Sequence, residues 1–397
     1  MKILVVLSRF PYPLEKGDKL RAYHQIRTLS QKNEVSLFCV CHETVLPEHI
    51  DMIRPFCKNI KVVHSPKLSN YKNVVRNFFY AKSLQIGYWD SKKARKCYNK
   101  FEQEVGPDVI YSQMVRTMTW VSHSKLPKVM DFQDALSMNT ERRMEHAHGL
   151  MKYLLHFEFK MLRSSEYNSF KIFDALTIIS ETDSEAIPHR KNSEIRIVPN
   201  GVDFNFYNPQ DSSIKKLDKH YDLLFCGNMQ YHPNISASKF LVEEVMPLVW
   251  RDRPQTTLLL AGATPVPAVK KLQSDRVMVS GWMDDIRTAY ASSNIFVAPM
   301  QVGSGLQNKL LEAMAMGLPC VTTPIANAAL HGEHGTHLLV GKSARELADQ
   351  ILSLLDNEEL SKRLAQQGNE FVHTHFSWEA AGNELESILC EATNKHI

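Results

Sequence analysis

Val302–Pro319 reads VGSGLQNKLLEAMAMGLP and follows the apolar run NIFVAPM at 294–300. The run has strand character and KLLEAMAMG is rich in helix formers, so the segment reads as strand, glycine loop and helix. Gly303 and Gly305, with Ser304 between them, let backbone approach a ligand closely in that turn. The amides at the helix start, near Leu306 and Gln307, suit a phosphate or diphosphate. Lys309 stands in the first turn and Glu312 three residues on, so both share one helix face. A lysine there neutralises charge on a leaving diphosphate, and a glutamate accepts hydrogen bonds from sugar or ribose hydroxyls. Spacing alone also fits a surface Lys–Glu pair, worth about a few tenths of a kcal/mol.

The same rhythm extends outward in both directions. From 222 onward come DLLFCG, a helical stretch through Phe240 to Val249, then TTLLLAG, RVMVSG, NIFVAPM, PCVTT and HLLVG. Before it, ILVVL, VSLFCVC, IKVVHS, DVIYSQ, KVMDF, ALTIIS and IRIVPN alternate with helical patterns, the pattern of parallel sheets covered by helices. Asp18 is placed to cap the first helix, in which Leu20, Tyr23, Ile26 and Leu29 recur at helical spacing. The intervening NGVDFNFYNPQDSSIKKLDKH is polar and aperiodic, a linker. The expected fold is α/β: two Rossmann-like doubly wound domains at 1–203 and 204–375, with a last helix in 376–397 packing back on the first. Ligands of such sheets gather beyond the carboxyl ends of the strands, so the site is expected in the cleft between domains.

At 397 residues the chain is long enough for two cores. No apolar run approaches the roughly 20 residues that span a bilayer, and MKILVVLSRF reads as a buried strand, so a cytoplasmic location is expected. Seven scattered cysteines read as reduced thiols. His331, His334 and His337 are interleaved with Gly332 and Gly335, a turn pattern, and no metal is expected. Residues 1–200 carry 31 Lys and Arg against 21 Asp and Glu, the remainder 16 against 22. A basic half suits phosphates or anionic lipid; the absence of any nucleic-acid motif argues against DNA or RNA.

GSGLQNKLLEAMAMGLPCVTTPIA, 303–326, resembles the signature helix of glycosyltransferases of the family 4 type, which have the GT-B fold. Their commonest pattern is Glu, seven residues, Glu. Glu312 matches the second glutamate, whereas Ser304 stands at the first, so the chain is similar to the subgroup written G-S-G-x-x-x-K-x-L-E-A. Four further stretches resemble the family in order: SRFPYPLEKGDKLRAYHQIRTLSQKNEVSLF, with Gly17 matching the glycine near donor phosphates; VPNGVDFNFYNP; FCGNMQYHPNISASKFLVEEVMP; and VSGWMDDIRTAYASSNIFVAP. In the third, the usual arginine and lysine are replaced by a loop containing Asn228, which either donates to the diphosphate or serves the turn. In the fourth, Gly281, Trp282 and Met283 fall in the base-binding region. KVMDFQDALS places Gln133 and Asp134 where the family has a histidine–aspartate pair; Asp134 is a catalytic candidate or a helix cap, and Asp131, Gln133 and Arg21 are candidates to orient donor or acceptor hydroxyls.

The resemblance implies transfer from a UDP- or GDP-sugar co-substrate, with no other cofactor, retention at the anomeric carbon and no metal. It further implies a saccharide or lipid-linked acceptor, as in the building of a surface polysaccharide or glycoconjugate. Residues 71–100 combine Phe78, Phe79, Tyr80, Tyr88 and Trp89 with eight Lys or Arg and one Asp. They read either as ordinary amphipathic helices or as a peripheral contact with the inner face of a membrane. Two other functions fit the same fold: a nucleotide-sugar epimerase or hydrolase, and a non-catalytic nucleotide-sugar-binding partner.

Overall fold

The β-branched runs form two separate parallel sheets, seen in a computed structural model that describes residues 1–78, 82–145, 147–302 and 305–396. The chain divides into two units, Met1–Pro199 with Trp378–Ile397, and Asn200–Ser377.

In the first unit the strands are β1 (Lys2–Leu7), β2 (Glu34–Cys41), β3 (Asn59–His64), β4 (Val109–Gln113), β5 (Lys128–Asp131), β6 (Ala175–Ile178) and β7 (Arg196–Ile197). Their order is β3-β2-β1-β4-β5-β6-β7. Helices α1 (Gly17–Leu29), α2 (Lys67–Phe78), α3 (Leu84–Trp89), α4 (Lys92–Val105), α5 (Leu136–Glu145) and α6 (Gly149–Ile172) connect them. Because parallel strands need crossovers, both sheet faces are covered, and β1 and β2 are almost wholly buried.

The second unit has β8 (Tyr221–Cys226), β9 (Leu258–Ala261), β10 (Val277–Gly281), β11 (Ser293–Ala298), β12 (Cys320–Thr322) and β13 (Leu339–Val340) in the order β10-β9-β8-β11-β12-β13. Its helices include α7 (His232–Phe240), α8 (Asn308–Ala315) and α9 (Glu358–His375). Helix α10 (Trp378–Asn394) belongs to the first unit, where Leu385, Ile388 and Leu389 join the core of Ile3, Val5 and Leu37. Trp378 stacks on His24 of α1 with centroids 4.6 Å apart, and a Cβ on Gly382 would come within 2.3 Å of Thr28 Cγ2. Gly382 is what lets the two helices lie so close.

Two local expectations change. Helix α1 begins at Gly17, so Asp18 lies inside its first turn and pairs with Arg9 at 2.7 Å instead of capping. Asp134 does not cap α5 either; the amides of Ala135 and Ser137 donate to Asp183 and Glu166, at 3.3 and 2.9 Å. Both carboxylates come from later in the chain.

In the second unit, the loops after β8 and β9 are locked by glycine contact. Gly262 has φ +136°, and a Cβ there would stand 1.9 Å from the carbonyl oxygen of Gly227. Backbone cannot retreat as a side chain can. Gly262→Ala is therefore expected to cost about 3 kcal/mol or more, from left-side backbone strain plus overpacking. Its unfolding midpoint in urea, against that of an exposed Gly106→Ala control, checks this.

Candidate functional site

In the second sheet, β8 and β11 are hydrogen-bonded neighbours, with Leu223 opposite Ile295. From β8 the chain moves toward β9, and from β11 toward β12, so their following loops diverge. This is the topological switch point, where open parallel sheets bind ligands. The loop after β8 carries Gly227 and Asn228, and the loop after β11 leads into α8.

Helix α8 starts at Asn308, so its first-turn amides are those of Asn308 and Lys309; Gln307 occupies the cap and its carbonyl accepts from Leu310. The inner face, Leu310, Leu311, Ala313 and Met314, fills the core and fixes the helix. Leu306 packs against that core, and Gln307 Nε2 donates to the carbonyl of Gly305 at 2.9 Å. Gly303 and Ser304 lie outside the described residues. Asn200, just inside this unit, donates from Nδ2 to Asn308 Oδ1 at 3.1 Å and ties the linker to the helix start.

Lys309 and Glu312 are both half-buried, and neither forms the surface pair that spacing allowed. Lys309 Nζ donates to Asn234 Oδ1 at 2.5 Å, lies 3.8 Å from Met300 Sδ, and sits 4.9 Å from the ring centre of Phe225. Among the described residues no carboxylate comes within ion-pair distance of it. Burial pushes its pKa down to about 8, against the raising pull of Cys226 and Glu312. An ammonium has three donors and no acceptor, so a cation held this way retains donor capacity for an anion.

Glu312 Oε2 accepts from the Tyr290 hydroxyl at 2.8 Å, and Tyr207 from the linker also hydrogen-bonds it. Burial raises its pKa, while the two tyrosines and Lys309 oppose the rise. Tyr290 is 1 % exposed and touches Cys226 Sγ at 3.0 Å, so the carboxylate is held against the core. Asn228 Oδ1 accepts from the Gln230 amide at 3.0 Å, which is the turn role, and its carbonyl accepts from Asn234 Nδ2 at 2.9 Å. Asn234 therefore ties the β8 loop to Lys309.

Gly281, with φ +71°, ends β10 and Trp282 and Met283 follow it; β10 is two strands from β8, roughly 10 Å along the same carboxyl edge. Met283 packs against the core, while Trp282 is exposed and donates from Nε1 to Asp284 Oδ1 at 3.1 Å. They are thus near the edge but are not brought onto Lys309 and Glu312. His334 and His337 each accept a backbone amide through Nδ1, from Val340 at 2.9 Å and Glu333 at 3.1 Å.

The other candidates lie in the first unit. Gly17 opens α1, and a Cβ there would meet no atom within 4 Å. Asp131 and Arg21 are not hydroxyl-orienting groups at a surface: both side chains are 0 % exposed, and Arg21 Nε donates to Asp131 Oδ2 at 2.6 Å. The same oxygen accepts from Tyr111 at 2.9 Å, and Oδ1 accepts from the Gln133 amide at 3.1 Å. The pair is a buried scaffold that shapes the β5 end. Gln133 is held there at φ +63°, and Asp134 is half-buried with its pKa pushed up to about 7 by burial and then by Asp183.

Sequence reasoning missed Asn234, Tyr207 and Tyr290. Tyr290 stands inside the quoted VSGWMDDIRTAYASSNIFVAP and Tyr207 inside VPNGVDFNFYNP, but neither bears a spacing signal toward Glu312. Their convergence is a matter of packing.

Residues 220–357 match the family Glycosyl transferases group 1. Over 389 residues the chain is 21% identical to the "Uncharacterized 44.6 kDa protein in cps region" of Klebsiella pneumoniae, covering 94% of this chain and 96% of that protein. It is 29% identical to N-acetyl-alpha-D-glucosaminyl L-malate synthase of Bacillus anthracis over 224 residues, 53% of this chain and 57% of the synthase. Among solved structures, Anabaena HepE in complex with UDP-glucose superposes with a TM-score of 0.71 at 16% identity, covering 98% of this chain and 100% of HepE. That likeness shows the fold, the two Rossmann-like domains of the GT-B class. The Lys309–Glu312 helix and the loops after β8 and β11 thus lie inside the stretch, 220–357, that is similar to group 1 glycosyl transferases.

Proposed function

We propose that the chain is a retaining, metal-independent glycosyltransferase that uses a UDP- or GDP-sugar. The observation that carries this reading is Lys309, a half-buried ammonium at the switch point, beside a carboxylate fixed by two tyrosines. The α8 amides and Lys309 bind the diphosphate and stabilise the negative charge that grows as the sugar C1–oxygen bond breaks. Glu312 accepts hydrogen bonds from ribose or sugar hydroxyls. The acceptor hydroxyl bonds to C1, and its proton passes to the departing phosphate oxygen. A thermal-shift panel of nucleotide sugars finds the donor, because a ligand binding only the native state raises apparent stability. Release of nucleoside diphosphate must then depend on added acceptor; release of free sugar or an inverted ring carbon with donor alone would replace transfer by hydrolysis or epimerisation.

The acceptor is proposed to be a saccharide or lipid-linked saccharide of a surface polysaccharide or glycoconjugate, reached from the membrane surface. No helix among the described residues is long and apolar enough to cross a membrane. The expected segment 71–100 is redistributed, since Trp89 is buried, Tyr88 is half-buried, and Phe79 and Tyr80 lie outside the described residues. What supports contact instead is α2, with Leu68, Tyr71, Val75 and Phe78 exposed between Lys67, Lys72 and Arg76. Leu150, Met151 and Tyr153 are also exposed at the start of α6, and Phe78 meets Phe157 of that helix at 4.9 Å. Apolar side chains flanked by cations suit an anionic bilayer surface. The protein should sediment with phosphatidylglycerol vesicles and not with phosphatidylcholine ones, and Leu150→Ser/Tyr153→Ser should weaken this several-fold.

A further inference from the structure

The first sheet has its own switch point, between β1 and β4, and the residues just past these strands and β5 are unusual. Register pairs Val6 with Ser112 and Gln113 with Asp131, so the ends of β1, β4 and β5 stand at one level. Past that level lie Arg9, Arg116 and Gln133, with Gln113 closing β4. Four nitrogens here are buried and, among the described residues, without a hydrogen-bond partner: Arg9 Nε, Gln113 Nε2, Arg116 Nε and Gln133 Nε2. All four are donors. Gln113 and Gln133 are 4 % and 3 % exposed, so water does not reach these amides freely. A buried donor without an acceptor is costly, and four at one strand edge mark a place where an acceptor-rich group is missing.

Nearby carboxylates do not fill that role. Asp18 is taken by Arg9, and Glu158 accepts from Ser83 Oγ at 2.7 Å and the Gln85 amide at 3.1 Å. Arg116 Nη2 donates to Gln85 Oε1 at 3.0 Å, a neutral acceptor. Burial lowers its pKa to about 10 and Arg9 adds to the fall, while Asp18, Glu158 and Asp134 oppose it without forming an ion pair with Arg116 among the described residues. The backbone is also held against its preference: Met114 and Gln133, the residues just beyond β4 and β5, have φ of +65° and +63°. Non-glycine residues persist in this region where a site requires it.

We propose that Arg116 and Arg9, with the amides of Gln113 and Gln133, form a binding site for an oxyanion, a phosphate or carboxylate group. Given the glycosyl-transfer reading, on which this step rests, that group belongs to the acceptor. The acceptor is then an acidic or phosphorylated saccharide, or one linked to lipid through phosphate. Guanidinium groups match such oxygens with paired donors, which a neutral sugar cannot exploit as fully.

The test uses the full chain labelled with ¹⁵N-arginine, at constant ionic strength and without donor. Methyl phosphate, glucuronate and glucose are titrated while the Arg Nε–H resonances are followed. The Arg9 and Arg116 resonances should move with phosphate or with glucuronate and stay in place with glucose; which anion acts separates a phosphate-linked from an acidic-sugar acceptor. Arg116→Gln should abolish the response at Arg9 and melt no lower than the parent, because it removes a half-buried charge that has no ion pair among the described residues. Gln113→Leu should weaken the response several-fold. The proposal is overturned if neither anion moves these resonances up to roughly 50 mM, well past millimolar affinity, or if Arg116→Gln melts lower and leaves the response at Arg9 intact. Turnover is read separately: nucleoside diphosphate release without an anion response sinks this site alone, and an anion response without release sinks the transfer reading.

Discussion

Lys309→Met should lower acceptor-dependent release of nucleoside diphosphate by about 10²–10³-fold, the loss typical for one preorganised charge-stabilising donor, while raising the melting temperature. The first effect follows because no second lysine or arginine stands in the β8 loop, where Asn228, Met229 and Gln230 follow Gly227. The second follows from desolvation. Lys309 rests on Phe225 and Met300, with Asn234 as its hydrogen-bond partner, so its charge is borne at a cost of about 1 kcal/mol that methionine does not incur. Its folded pKa, about 8, lies below the unfolded value, so the unfolded chain holds more protons between about 8 and 10.5. Stability contributed at this site therefore rises with pH across that window. Anion binding has the opposite dependence: it needs the charged form, so affinity for nucleoside diphosphate should fall as pH rises through about 8. Calorimetric titration from pH 6.5 to 9.5, repeated on Lys309→Met, should show that fall only in the parent.

Arg21→Met should destabilise the first unit by about 3–5 kcal/mol, since it leaves the fully buried Asp131 carboxylate without its cation. Tyr111 and the Gln133 amide would remain on that carboxylate, and they do not neutralise it. Adding Asp131→Leu to Arg21→Met should recover much of the loss, because two apolar groups can replace a buried pair at little cost. Calorimetric unfolding of the parent, the single and the double variant tests this. A single variant as stable as the parent would mean that water reaches the pair.

The two substitutions separate kinds of buried charge that look alike on paper. Lys309 and Arg21 both stand near the start of a helix that follows a parallel strand. One is held by a neutral amide at the switch point of its sheet; the other is consumed by a carboxylate 110 positions away. Asp131 and Arg21 looked available for hydroxyls because nothing local marks that long-range pairing. Asp134 looked like a helix cap because Asp183 and Glu166, which take the α5 amides, arrive from distant segments. Trp89 looked like an interfacial aromatic, yet it is buried and its carbonyl accepts from Trp120 Nε1 at 3.2 Å.

The alternation of apolar runs with helical periodicity was enough by itself to determine two doubly wound parallel sheets, because strand and helix periods are local properties of the chain. The stretch from Asn294 to Pro319 likewise determined a strand and, after it, a helix carrying Lys309 and Glu312 on one face. Only tertiary structure decided what those side chains meet: Asn234 and Phe225 for the lysine, Tyr290 and Tyr207 for the glutamate. It alone decided that Arg21 is ion-paired and that, among the described residues, Arg116 is not. Whether a charge has a counter-ion depends on residues brought together across the sheet, and desolvation sets the energy of that difference.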